Sequence, residues 1–395
     1  MPKYSPAQIK DIVNTAYNQM TGKTEISQPL DLTEFTDKGS ISLADNRDAF
    51  TGALISVCTR NWFTDTSYRS EYNDIFYEDN QRFGAIIQAI SIESPQAVDN
   101  SAWKNFKSGQ TTVGQYTVYI PVIDTKYYTK STSWAMPLTI SWEQFDTAFR
   151  DEEGLSELVS YILLSVDNAL VQHMEDMNAE NRNNFIAEKI AYSKKPDAKG
   201  VHVVDLVKEY ATSKALTGNY TVAQALNDRE FLIFASMKMS QYLKYFKKQT
   251  SLFNTEQKVR FTPTERIACQ ILTYFEDAMT NIGYANTFHD DYIKLPLHES
   301  VPWWQAAGDL SFADVSAIHV KNGESTNVET SGVVGLICDK WAIVHTIRSN
   351  RVGSENFNIE NLTHYEYQHR DSYINNLTMN AVVFVMNDFT ASAGA

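Results

Sequence analysis

Between residues 152 and 190 apolar side chains return every three or four positions: Leu155, Leu158, Val159, Ile162, Leu163, Val166, Ala169, Leu170, Met174, Met177, Phe185 and Ile186. That is the spacing of one face of an α-helix. No proline interrupts the run before Pro196, and its single glycine, Gly154, falls in the first turn. The pattern predicts one continuous helix over 152–190, on the order of 55 Å long at ~1.5 Å of rise per residue, several times the usual length. After Met177 the stripe gives way to Asn178, Glu180, Asn181, Arg182, Asn183 and Asn184. No heptad seam survives there, so a brace inside a flat or elongated domain fits better than a free coiled coil.

Upstream, Ser5, Pro6 and Gln8 start a short helix whose stripe is Ile9, Ile12, Val13 and Tyr17, stopped by Gly22. Residues 24–45 are polar and aperiodic, which predicts an arm that needs another surface to order it. A second helix is expected near 48–63 and a β-rich run over 83–92. Val113, Tyr116, Val118, Ile120, Val122 and Ile123 favour strand, residues 126–133 are polar, and Trp134, Met136, Leu138 and Ile140 alternate strictly. These read as a ribbon over about 93–140, which cannot bury itself and needs a neighbour. Ser141 and Gln144 cap a short helix leading into the long one.

Beyond Pro196 the periodicity predicts a helix over 203–213, another started by Thr221 and Gln224, and a brief strand over 231–234. Thr262, Pro263 and Glu265 signal a helix running through Ile267, Ile271, Leu272 and Phe275. A short strand and tight loop are expected over 292–304. Two strands surround a turn at Cys338, Asp339 and Lys340, and closing strands are expected at 365–373 and 381–385. With no βαβ series and no internal repeat, the class is α+β.

Composition narrows the function. The chain has 395 residues, 43% hydrophobic and 21% charged, enough apolar material for one large core or two modest ones. Its 21 Tyr and 20 Phe exceed what one core needs, and surplus aromatics are often spent on subunit interfaces. A net charge of −14 argues against tight nucleic-acid binding. Half of that charge lies in 151–190, where nine acids face only Arg182 and Lys189, although a solvated helix face explains this equally well. The stretch from Lys238 to Arg260 is locally basic and is expected to meet an acidic neighbour. Cys58, Cys269 and Cys338 are few and far apart, which fits a reducing compartment and buried thiols. No apolar signal core or run of ~18 apolar residues predicts secretion or a membrane partner.

Chemistry is not signalled. There is no phosphate-cradling glycine loop, nucleophile elbow, helical histidine pair or cysteine pair. His289, Asp290 and Asp291 are adjacent and point apart, so hydrated loop acids are expected rather than a metal site. His364 and His369 fall on opposite faces of one strand and read as surface or interface residues. Trp303 and Trp304 read as core or interface anchors more readily than as a stacking platform. No catalytic, cofactor-binding or metal-binding residue is therefore expected.

Three passages carry a resemblance: Trp103-Lys104-Asn105-Phe106-Lys107-Ser108-Gly109-Gln110 in the ribbon, Ser141-Trp142-Glu143-Gln144-Phe145 before the long helix, and Val334-Gly335-Leu336-Ile337-Cys338-Asp339-Lys340-Trp341 near the end. Together with the order of elements over about 72–389, they resemble the major capsid protein of tailed bacteriophages, the Hong Kong ninety-seven-like capsid fold. The chain is most similar to the phi-twenty-nine-type short-tailed phages. The resemblance implies an N-terminal arm and helices over 1–80, an E-loop hairpin with its base strands over 81–140, and a P domain with the spine helix over 141–214. An A domain over about 215–350 and P-domain closing strands with the C-terminus over 351–395 follow. The immunoglobulin-like C-terminal domain of some members is not expected after the last strand.

The same resemblance implies a non-enzymatic major capsid protein that self-assembles, as pentamers and hexamers, into an icosahedral shell. The shell would enclose double-stranded DNA with weak, non-specific contact, and portal and scaffolding proteins would be possible partners. Assembly is expected in the host bacterial cytoplasm. Trp103, Phe106, Tyr116, Tyr119, Tyr127, Tyr128 and Trp134 would lie over the neighbouring subunit, and the acidic spine would face partly inward. Rival readings are an encapsulin-like nanocompartment shell and a carbohydrate-binding or carbohydrate-acting protein using Trp303 and Trp304.

Overall fold

The computed structural model describes residues 77–80, 87–92, 123–129, 131–141, 152–280, 298–305, 314–322, 326–357 and 362–391. The expected arm over 24–45, the helices near 9–17 and 48–63, the short helix after Ser141, and His289, Asp290 and Asp291 lie outside them. The elements begin with strands β1 (Tyr77–Asn80), β2 (Ile87–Ile92), β3 (Ile123–Tyr128) and β4 (Thr132–Ser141). Helix α1 (Glu152–Ser193) follows, then β5 (Val203–Asp205), α2 (Leu206–Ser213), α3 (Val222–Asn227) and α4 (Arg229–Phe246). Strand β6 (Ile267–Leu272), α5 (Thr273–Ala278), β7 (Glu299–Val301), β8 (Ile318–Asn322) and β9 (Thr326–Thr330) lead to β10 (Val333–Asp339). The chain closes with β11 (Ile343–Phe357), β12 (Leu362–Asn375) and β13 (Ala381–Val385).

Two larger sheets organise these strands, one ordered β5-β13-β10-β6-β7 and the other β1-β11-β12-β4. The first holds the main core. Every residue of β10 and β13 is buried, and Phe185, Ile186 and Ile190 of α1 join Phe231, Leu232, Ala235 and Met239 of α4 against it. Strands buried on both faces read as near-continuous apolar runs, which Val-Val-Gly-Leu-Ile-Cys and Ala-Val-Val-Phe-Val are. Gly332 enters β10 with φ +81, and a side chain there would collide with the Met386 carbonyl, so the turn admits glycine alone.

The long helix is present as one element of 42 residues, three longer at its C-terminal end than the periodicity predicts. Its polar stretch is among its most deeply buried parts: Asn178, Asn181, Arg182, Asn183 and Lys189 are all under 6% exposed. Three of them, Arg182, Asn183 and Lys189, reach backbone carbonyls, the kind of partner a buried donor needs. Asn183 Nδ2 and Arg182 Nη2 donate to the Trp304 carbonyl at 2.6 and 3.1 Å, and Lys189 Nζ donates to the Leu377 and Phe253 carbonyls at 3.2 and 3.4 Å.

Four expectations are corrected. Residues 231–234 belong to α4, because Asp228 caps its start by accepting from Glu230 N at 2.9 Å and the buried positions Phe231, Leu232, Ala235 and Met239 continue at helical spacing. Thr264–Arg266 makes only a 3-10 turn without a side-chain cap, after which Ile267–Leu272 is a strand between β10 and β7. The ribbon over 93–140 is not one hairpin. Strand β3 pairs antiparallel with β2, whereas β4 pairs with β12, where its alternating Trp134, Met136 and Leu138 pack with Tyr365, Tyr367 and Leu170. The stretch 351–395 likewise divides, β12 joining one sheet and β13 the other.

Candidate assembly surfaces

The β2–β3 ladder sets Gln88 opposite Tyr127 and Ile90 opposite Thr125, and these residues share one face with Ile123. Ile90, Ile123 and Tyr127 are 61–62% exposed on it. Ala89, Ser91, Asp124 and Lys126 share the other face. Lys258 reaches that face from a turn far along the chain, donating to Asp124 Oδ2 at 2.7 Å and to Ser91 Oγ at 3.3 Å. Glu256 completes the network, 3.1 Å from Lys258 Nζ and ion-paired with Lys126.

The charges in this clamp reinforce one another. The hydrogen bond from Lys258 holds the Asp124 carboxyl below its ordinary value. Burial works against the charged forms of Glu256 and Lys258, but their hydrogen bonds outweigh it, so Glu256 titrates lower and Lys258 higher than usual. Burial, followed by the Glu256 charge, pushes the Tyr128 phenol up. One face of the strand pair is thus anchored to its own subunit by charge, while the other presents apolar side chains outward.

The residues expected at a subunit interface fall in different places. Trp103, Phe106, Tyr116 and Tyr119 lie outside the described residues. Tyr127 is on the open face and Tyr128 is half-buried. Trp134 is engaged within its own chain: its Nε1–H donates to Asp371 Oδ2 at 2.8 Å, and its ring stacks on His369 at 4.2 Å. The expectation that its ring lies over a neighbour is revised accordingly, because the alternation of β4 turns it toward α1. His369, expected at a surface or an interface, is 5% exposed within its own chain, while His364 Nδ1 lies 2.9 Å from Thr139 Oγ1.

Trp304 is a core anchor, fully buried, with Nε1–H donating to the Val333 carbonyl at 2.8 Å and the Arg182 guanidinium 5.0 Å from its ring centre. The basic stretch meets acids of its own chain: Lys238 pairs with Glu209 at 2.8 Å, and Lys258 with Asp124 and Glu256. Cys269 and Cys338 are free and buried, and burial raises both thiols, Cys269 to about 12. Among the described residues no group of three or more His, Cys, Asp or Glu could hold a metal ion, and no helix is long and apolar enough to cross a membrane.

Sequence reasoning missed the Lys258 clamp and the carbonyl partners of Arg182 and Asn183. The only available signal was the placement of charged and amide residues inside otherwise apolar or β-rich segments, which marks a partner without saying which.

Comparison with known proteins supplies the family. A model of the Phi29-like phage major capsid protein matches residues 9–385. No curated protein matches in sequence. Among solved structures, the capsid of Staphylococcus phage Andhra is similar with a TM-score of 0.50 at 9% identity, over 82% of this chain and 85% of that one. The capsid of cyanophage P-SCSP1u gives 0.44 at 12% identity, over 80% and 87%. The mature capsid of bacteriophage PhiM1 gives 0.43 at 9%, over 81% and 88%. At such identities the likeness concerns the fold alone, and the first carries the weight.

Proposed function

The chain belongs to the Phi29-like phage major capsid protein family, and from that premise we propose how its parts build a phage head. The protein is the building block of an icosahedral capsid, and copies of the chain assemble with one another. The described parts suit the named regions of such a subunit: α1 as the spine, β2 and β3 as the base of the E-loop, and the β4–β12–β11–β1 sheet with α1 as the P domain. The five-stranded sheet with α4 is the A-domain core. Strand β13 belongs with that core, so the boundary near 351 is better drawn between β12 and β13.

The observation that carries the assembly reading is the clamped β2–β3 pair, which fixes a rigid strand base while Ile90, Ile123 and Tyr127 face outward. Large apolar side chains held at that exposure by a rigid base are what a neighbouring copy can bury with little loss of conformational freedom. Tyr127, with Trp103, Phe106, Tyr116 and Tyr119 from the chain between β2 and β3, is assigned to this contact; Tyr128 neighbours it in sequence. Heterologous contacts of this kind close into pentamers and hexamers.

Double-stranded DNA is the enclosed cargo, held by weak non-specific contact. An acidic wall suits DNA that must move, because tight phosphate binding needs clustered Lys and Arg. Portal and scaffolding proteins are the expected further partners, and assembly takes place in the host bacterial cytoplasm. No reaction is required of the subunit. Of the rival readings, the carbohydrate site loses its platform because Trp304 is fully buried. Nuclease treatment of particles purified from infected cells tests the cargo: protected double-stranded DNA supports the head reading, and particles holding only protein contradict it.

A further inference from the structure

Three of the chain's eight histidines meet where α1 crosses the four-stranded sheet. Trp134 of β4 is flanked by two of them. Its ring centre is 4.2 Å from that of His369 on β12, nearly parallel at 7°, and 4.3 Å from that of His173 on α1, tilted by 53°. The third, His345 on β11, stacks on Tyr373 at 4.6 Å, and its Nε2 stands 3.8 Å from the Asp371 Oδ2 that accepts the Trp134 indole proton. His345 and Asp371 are each 1% exposed. Neither the shell nor the hairpin contact uses this cluster.

Its charge balance depends on the imidazoles. The charges that reach His369 are those of Asp371, His173 and His345. Strand β4 contributes only the neutral indole, and β12 adds the phenols of Tyr365, Tyr367 and Tyr373. Arg370 points away, donating to Ser131 Oγ at 2.9 Å, and Glu175 and Asp176 follow His173 on α1. With neutral imidazoles the charge that reaches His369 is the negative one of Asp371. Protonating all three histidines reverses that sign in a site largely closed to water. One cation beside the indole is favourable, but a second would meet the first across the same ring.

We propose that His173, His345, His369, Trp134 and Asp371 form an acid-sensitive latch between α1 and the four-stranded sheet. It is closed while the imidazoles are neutral and released when they are protonated, with the five-stranded core left intact. Burial, with the charges of His173 and His345, holds His369 below the usual histidine value against the pull of Asp371. The opened state therefore binds more protons as pH falls below about 6.5. The latch's contribution is complete above the ordinary histidine value and is lost as pH falls through the lowered one. This goes beyond the shell reading and stands without it.

Hydrogen exchange on the full chain, corrected for intrinsic rates, tests the latch at about pH 7.5 and about pH 5. Peptides spanning 168–177 and 365–373 are expected to lose protection about tenfold at the lower pH, while 333–339 keeps its own. In the variant carrying His173→Gln, His345→Gln and His369→Gln the loss at those peptides should shrink to about twofold or less. Equal protection at both pH values in the native chain overturns the proposal, as does parallel loss at 333–339 or an undiminished loss in the variant. If the triple variant does not fold, His173→Gln alone, at a half-buried helix position, should shrink the loss, because it removes one of the charges that hold His369 down; an undiminished loss contradicts the latch.

Discussion

The two larger sheets share a helix and little else. In the five-stranded sheet all residues of β10 and β13 are buried, and α1 and α4 supply Phe185, Ile186, Phe231 and Met239 to the same core. In the four-stranded sheet, the buried apolar cluster under α1 is Leu170 with Tyr365 and Tyr367, joined by half-buried Trp134, Met136, Leu138 and Met174. The outer positions of β4, Ala135, Pro137 and Thr139, are exposed. One region is finished by its own chain; the other is finished on one face, beside a strand pair whose apolar side is open. A shell subunit needs both kinds of region, because a core that folds alone can be delivered to neighbours, and surfaces left open give them something to bury.

The largest effect should come from the finished region. Trp304→Ala removes a fully buried ring together with its hydrogen bond to the Val333 carbonyl, and such truncations cost ~3–5 kcal/mol, enough to lose most soluble folded chain. Yield and thermal melting followed by circular dichroism check this. Leu170→Ala, in the sparser cluster, should cost about 2 kcal/mol, at the low end for buried leucine, because half-buried neighbours can settle into the gap. An equal loss for the two variants would break the contrast between the regions.

A smaller effect on folding is expected at the clamp. Lys258 and its partners Asp124 and Glu256 are 17%, 37% and 22% exposed at the side chain, so solvent screening keeps the value of Lys258→Ala below about 1 kcal/mol. Its effect on assembly should exceed its effect on melting, since the strand base loses its anchor. Light scattering of assembling subunits separates the two. The smallest effect is a pH dependence. Asp124 and Glu256 titrate below their ordinary values in the folded chain, so the clamp's contribution is complete above about pH 4.5 and is lost as pH falls through the lowered values. A clamp that tightened in acid would contradict this assignment.

Periodicity made α1 legible because a long proline-free run with apolar residues at helical spacing leaves no competing element, and it made β10, β12 and β13 legible because short apolar or alternating runs were bounded by turns. It failed where a run was too short to distinguish periods, as at 231–234, and where a helix-start signal preceded a strand, as at 264–272. Strand partners were least legible of all. Nothing in the alternation of Trp134, Met136 and Leu138 says that β12, more than 220 residues later, is the partner rather than the nearby β3. The same holds for Asp124, whose cation lies 134 residues away. Local pattern encodes which face of a strand is apolar; only the closed structure decides what covers it.

The central claim is that the outer face of β2–β3 is open in the subunit and covered by a neighbouring copy in the shell. Hydroxyl-radical footprinting of Tyr127, 62% exposed in the single chain, measures that directly in free subunits and in assembled particles. The account predicts ready oxidation in the free subunit and protection by about tenfold in particles, as at the desolvated centre of an interface. Equal oxidation in both states would contradict it.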